Sequence, residues 1–192
     1  MWGVMRNKIE LMEPLATPME TFEVKRGLVK QVIADGGLNA LASDYFDNVE
    51  SSEDDSFEGS FGILSKVTGK YNEKGKLVVD VEQMKGPELS DFLSSDDGRE
   101  KAMESRQRWS GFLDQATGYT AKQRGDKAKE SAKKASKAKS AISQARHFME
   151  MSNVEEELAA QAEELISEIE DALQNGDNSR AASRGEKIGK LF

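Results

Sequence analysis

Cysteine is absent from the 192-residue sequence, which excludes disulfides and thiolate metal sites. Its absence also fits a reducing compartment, and the expected location is cytoplasmic. Histidine, the usual general base near neutral pH, occurs once, as His147. One histidine, between Arg146 and Phe148 in a basic segment, makes neither a Cys–His pair nor a Ser–His–Asp triad. No apolar run approaches the ~18 residues that span a membrane, so no membrane partner is expected. The start of the chain lacks a signal-peptide core, because Trp2, Val4 and Met5 are followed at once by Arg6 and Lys8. Residues 1–19 read as an N-terminal extension. The phosphate-binding patterns G-x-x-x-x-G-K-[ST] and G-x-G-x-x-G are missing as well. From these gaps no catalytic residue, no metal ligand and no cofactor is expected.

Charge is plentiful: 32% of the residues are Asp, Glu, Lys or Arg, and the net charge is −8. The balance is segregated along the chain. Residues 122–149 carry nine basic and two acidic side chains, whereas residues 150–176 carry nine acidic and no basic ones. Such blocks mark solvated helical faces or interaction surfaces. Paired carboxylates are common and unspecific. Counting an EF-hand from Asp54 puts Ser56, Glu58 and Gly59 at positions three, five and six. Position twelve is then Ser65 and not the bidentate Glu that calcium requires. Asp54-Asp55 and Asp96-Asp97 therefore read as solvated acidic loops.

Periodicity divides the rest. Phe22 and Val24 alternate with charge, which predicts a strand over 20–26. Apolar residues three and four apart predict helix over 28–46, broken at Gly36-Gly37. Residues 51–56 read as a loop, and strands are expected over 57–61, 63–71 and 76–83, the last two joined at Asn72-Glu73-Lys74-Gly75. After Gly86-Pro87 comes a loop and short turn. A helix over 95–116 follows, capped by Ser95 or Asp96, with Met103, Trp109, Phe112, Leu113 and Ala116 as its apolar stripe. This helix is expected to cover an antiparallel sheet of three to four strands. Thr117-Gly118-Tyr119-Thr120 then breaks the chain.

Beyond it, residues 121–151 carry Ala128, Ser131, Ala135, Ala138, Ile142, Ala145 and Met149 at heptad-like spacing. Ser152 with Glu155 suggests a capping box. Val154, Leu158, Ala162, Leu165 and Ile169 form a second stripe, ended by Asn175-Gly176. A short final helix carries Ala181, Ala182, Ile188 and Leu191. The fold class is α+β: a small antiparallel sheet covered by helices, then a C-terminal αα-hairpin or small helical bundle. The expected domains are 20–120 and 121–192, with the basic helix lying back on the acidic one.

The phrase Phe112-Leu113-Asp114-Gln115-Ala116-Thr117-Gly118-Tyr119-Thr120-Ala121-Lys122 resembles the end of a small archaeal family with no assigned function. Members share a Lys-Arg-Gly near the start, matched by Lys25-Arg26-Gly27, and a hairpin matched by Lys76-Leu77-Val78-Val79. The likeness covers about 20–134 and leaves out the N-terminal extension and everything after about Ala135. It implies a compact α+β domain and an archaeal source, and no activity.

Function is expected in the C-terminal region. The preferred reading is a non-enzymatic interaction or assembly module with a protein partner or a second copy of itself. Its candidate residues are Lys127, Lys133, Lys134 and Lys137 on the basic helix and Leu158, Leu165 and Ile169 on the acidic one. The alternative is nucleic-acid contact, since eight Lys and Arg residues between Lys122 and Lys139 suit phosphates, although stacking aromatics are missing there. A small-ligand or catalytic role on the face of the sheet is a further alternative.

Overall fold

A computed structural model describes residues 19–52 and 56–192. Residues 1–18 of the N-terminal extension and the pair Asp54-Asp55 lie outside the described residues. The chain forms two compact units, one ending at Tyr119 and one beginning at Thr120.

The first unit runs β1 (Glu20–Phe22), α1 (Leu28–Ala34), α2 (Gly37–Ser43), β2 (Asp47–Ser51), β3 (Phe57–Phe61), β4 (Leu64–Tyr71), β5 (Leu77–Gln83), α3 (Gly86–Ser94) and α4 (Gly98–Thr117). The strands make one antiparallel sheet in the order β1-β5-β4-β3-β2. It therefore has five strands, not three or four, and the class is α+β. Alternation decides its dry face: Phe57, Val67, Leu77 and Val79 are buried against Phe112, Leu113 and Ala116 of α4 and Leu38 and Ala42 of α2. Phe46, Phe57 and Trp109 gather around Phe112, with ring centroids 5.2, 5.2 and 5.9 Å away. Such pairs add about 0.5–1.5 kcal/mol each beyond their buried area. Gly69 makes room for this cluster, since a β-carbon there would stand 2.8 Å from Phe57 Cε1. The opposite face carries Glu58, Lys66, Thr68, Asp80 and Glu82, and Lys66 bonds Glu58 at 2.9 Å.

Four local expectations are corrected. Helix α2 ends at Ser43 and not at 46, and strand β2 occupies Asp47–Ser51, where no strand was expected and the loop was expected from residue 51. Residues 86–94 are helical because Pro87 suits a first turn, where its missing N–H costs nothing. Met103 is 62% exposed; the buried face of α4 is Ala102, Ser105, Phe112, Leu113 and Ala116, with Trp109 packed beside it. Asp97 is the N-cap of α4, in place of Ser95 or Asp96.

The second unit holds α5 (Ala121–Met151), α6 (Glu156–Gln174) and α7 (Asn178–Ile188). Thr120 and Gln123 form a reciprocal capping box that starts α5. Ala138, Ile142 and Ala145 of the expected seam are buried, whereas Ala128 is exposed. The three helices form a small bundle whose core adds Ala162, Ile166, Ile169 and Ala172 of α6 and Ala181 and Ile188 of α7. The hairpin is made by α6 and α7: Glu168 and Arg184, equidistant from Gly176, pair at 2.8 Å. Helix α7 runs parallel to α5. Asn178 bonds Ser131 at 2.8 Å, Lys137 pairs with Glu186 at 2.7 Å, and the rings of Phe148 and Phe192 meet at 4.6 Å. Gly185 and small residues allow close approach, for a β-carbon on Gly185 would lie 3.2 Å from that of Ala141. Basic α5 and acidic α6 share the apolar core, and among the described residues Arg146 pairs with Glu170 across them at 2.9 Å. The Ser152–Glu155 capping box does not form, because Ser152 closes α5 and Glu155 is the N-cap of α6 without a side-chain bond.

Candidate functional site

The residues that carry the family likeness meet at one corner of the first unit. Helix α4 ends at Gly118, whose φ of 72° is left-handed and whose N–H donates to Asp114 O. The buried Thr117 hydroxyl donates to Leu113 O and accepts from Tyr119 N–H. Lys25 N–H donates to Thr117 O at 2.9 Å, and a β-carbon on Gly118 would press on Lys25 and Leu28 at 3.0 and 3.1 Å. Tyr71 Oη donates to Ala116 O at 2.7 Å, and Leu77 pairs with Phe22 across β5 and β1. Lys25-Arg26-Gly27, the β4–β5 hairpin and Thr117-Gly118-Tyr119 are thus parts of one corner. Its bonds explain those residues by packing and capping. They gather no nucleophile–base pair.

The second unit carries the candidates for recognition. Lys134 Nζ pairs with Glu130 at 2.9 Å and reaches Ser179 Oγ at 3.2 Å, and it holds the Glu130 carboxyl below the ordinary carboxylate range. Lys137 does the same to Glu186. Lys127 lies 3.6 Å from Glu130. These three lysines serve the bundle. Lys133 is exposed on the outward face of α5 and, with Lys122 and Lys129, forms no ion pair among the described residues. On α6, Ile169 is buried in the core and Leu165 packs beside it, so both are structural. Leu158 is half-buried.

The sequence reading missed Phe148, Met151 and Phe192, which are 41%, 75% and 38% exposed. They stand where α5 and α7 end together. The available signal was their offset from the Met149 seam position. A groove of about 420 Å³ between α5 and α7 has Phe148 and Phe192 on its walls and Ala141, Gly185 and Gly189 along its floor. A second hollow, of about 600 Å³, is lined by Lys139, Arg146, His147 and Glu170. Among the described residues no group of three or more His, Asp or Glu side chains is placed to hold a metal ion, and no helix is long and apolar enough to cross a membrane.

These features define an α+β domain with helices on one face of an antiparallel sheet, continued by a charged three-helix bundle. Residues 19–130 match the family described as "Domain of unknown function (DUF5611)", and the chain belongs to that family. The match takes in the first unit and the start of α5, as far as the point where α7 begins opposite Ser131. No curated protein and no solved structure gives a significant match.

Proposed function

We propose that the protein is a non-enzymatic interaction or assembly module, cytoplasmic and of archaeal source, whose C-terminal bundle presents the docking surface. One observation carries this reading. Phe148, Met151 and Phe192, three of the large apolar side chains exposed among the described residues, stand together at one end of the bundle. Clustered apolar exposure marks contact sites, whereas scattered exposure does not. Affinity purification of the full chain from its native cell, with and without nuclease, tests the reading by mass spectrometry. Protein partners or untagged copies of the chain retained after nuclease are expected. Recovery that depends wholly on nucleic acid would overturn it.

One observation favours the second reading. Lys122, Lys129 and Lys133 lie on the outward face of α5, toward the end that extends past the start of α7, and no carboxylate pairs with them among the described residues. Phosphate contact there would weaken steeply as salt rises.

A further inference from the structure

We propose that Asn175-Gly176, the turn between α6 and α7, is a self-modifying site whose asparagine converts to aspartate and isoaspartate without an enzyme, and that the folded turn restrains the reaction. The inference is independent of the interaction reading. This is the one Asn-Gly pair in the sequence, and both residues are exposed. Glycine carries no side chain to crowd the amide nitrogen that follows the asparagine, and Gly176 faces open space. Hydroxide and water therefore reach both reacting groups.

The chemistry needs only those two residues and water. Hydroxide removes the Gly176 amide proton, and the nitrogen attacks Asn175 Cγ. The new C–N bond closes a five-membered imide, and the side-chain nitrogen of Asn175 leaves as ammonia. Water then opens the imide. Attack at Cγ breaks its bond to the Gly176 nitrogen and leaves aspartate. Attack at the main-chain carbonyl carbon leaves isoaspartate, with the chain rerouted through Cβ and Cγ.

The folded turn opposes the first step. Ring closure requires the Gly176 nitrogen to swing into line with Asn175 Cβ. The Asn175 ψ of 2° sets it in line with Asn175's own nitrogen, one tetrahedral position away about the Cα–C bond. Hydrogen bonds keep it there. Gly176 N–H donates to Leu173 O at 3.0 Å and Asp177 N–H to Ala172 O at 2.8 Å, the paired bonds of a Schellman helix end. Asn175 Nδ2 donates to Asp171 O at 2.8 Å, which ties the target amide back to α6. Reaction thus waits for the turn to open, and its rate follows the open fraction.

The product cannot rebuild this turn. A carboxylate has no proton to donate to Asp171 O, and it adds negative charge at the C-terminal end of α6, where the helix dipole disfavours it. Isoaspartate also lengthens the main chain by one carbon inside the Schellman bonds. The site is therefore a one-way clock on the bundle: each opening of the α6–α7 hairpin risks a change that leaves it looser.

Incubation of the full chain at mildly alkaline pH, with and without urea, tests this. Fragment-ion mass spectrometry locates the amide-to-acid change, and chromatography separates isoaspartyl from aspartyl peptides. In urea Asn175 is expected to convert before Asn153 or Asn178, and in the folded chain about tenfold or more slowly, since only the open fraction reacts. Gly185→Leu, which overpacks the contact of α7 with α5, should convert faster than the wild type without urea. Asn175→Asp should lower the urea midpoint of the full chain. Equal rates with and without urea overturn the restraint, an Asn175 that stays intact in urea overturns the site, and an unchanged midpoint for Asn175→Asp overturns the loosening.

Discussion

Ser105 is fully buried on α4, and its hydroxyl accepts the Ile63 N–H at 3.2 Å while donating within 2.7 Å to Lys101 O. It clamps the β3–β4 turn to the helix. Ser105→Ala strands a buried N–H, and the expected loss is about 1–3 kcal/mol, read from the urea midpoint of the full chain. An unchanged midpoint would remove the clamp from the account. Tyr71 gives a pH signature. Burial pushes its hydroxyl from 10.0 to about 12. The folded state therefore holds the proton over a range where the unfolded chain releases it. The contribution is whole below pH 10 and is lost as pH rises toward 12. Tyr71→Phe should flatten that part of the stability profile, and a slope that survives the substitution would point to another group. Neither residue was legible in the sequence. A serine inside a helix reads as solvated, and only the position of the β3–β4 turn makes it a core residue. The stripe as read from spacing took Met103, whereas its neighbour Ala102 is the buried residue.

The strands over 57–83 and the long helices were legible because their periods are long and unbroken. Strand β2 was not, since Asp47–Ser51 contains one apolar residue, Val49, and lies at an edge where pairing to β3 alone defines it. The register of α5, α6 and α7 was also hidden. Heptad spacing gives each helix a dry edge and leaves open which helix covers it. Small residues settle the matter, because Gly185, Ala138 and Ala141 let α7 approach α5 closely. Gly185→Leu should overpack this contact and destabilise the helical unit by about 1–3 kcal/mol, with the exposed Ser183→Leu as control. Equal urea midpoints for the two variants would mean that α7 is held elsewhere.

At the scale of the whole molecule, the basic and acidic blocks were plain in the sequence, but their mutual cancellation was not. Opposite charges more than the ~8 Å screening length apart scarcely interact at physiological salt, so only placement decides it. Lys134 and Lys137 bind carboxylates of α5 itself and of α7. Replacing Lys127, Lys133, Lys134 and Lys137 by Gln should therefore lower the melting temperature or weaken self-association more than it lowers affinity for RNA or DNA. Melts, sedimentation and nucleic-acid titrations at low and physiological salt compare the three. Tight nucleic-acid binding that survives physiological salt in the wild type and vanishes in the variant, with stability unchanged, would put nucleic-acid contact first. The lowered Glu130 and Glu186 carboxyls set the sign with pH: their pairs help above the ordinary carboxylate range and fade as the medium is acidified through it. The family match ends at residue 130, while α5 runs unbroken to Met151. A fragment trimmed to the family's span would thus stop in mid-helix, leaving its last four carbonyls without helical partners. The structural boundary lies instead between the end of α4 at Gly118 and the capping box at Thr120, so a cut placed there severs no helical ladder, whereas one placed at the family's edge does.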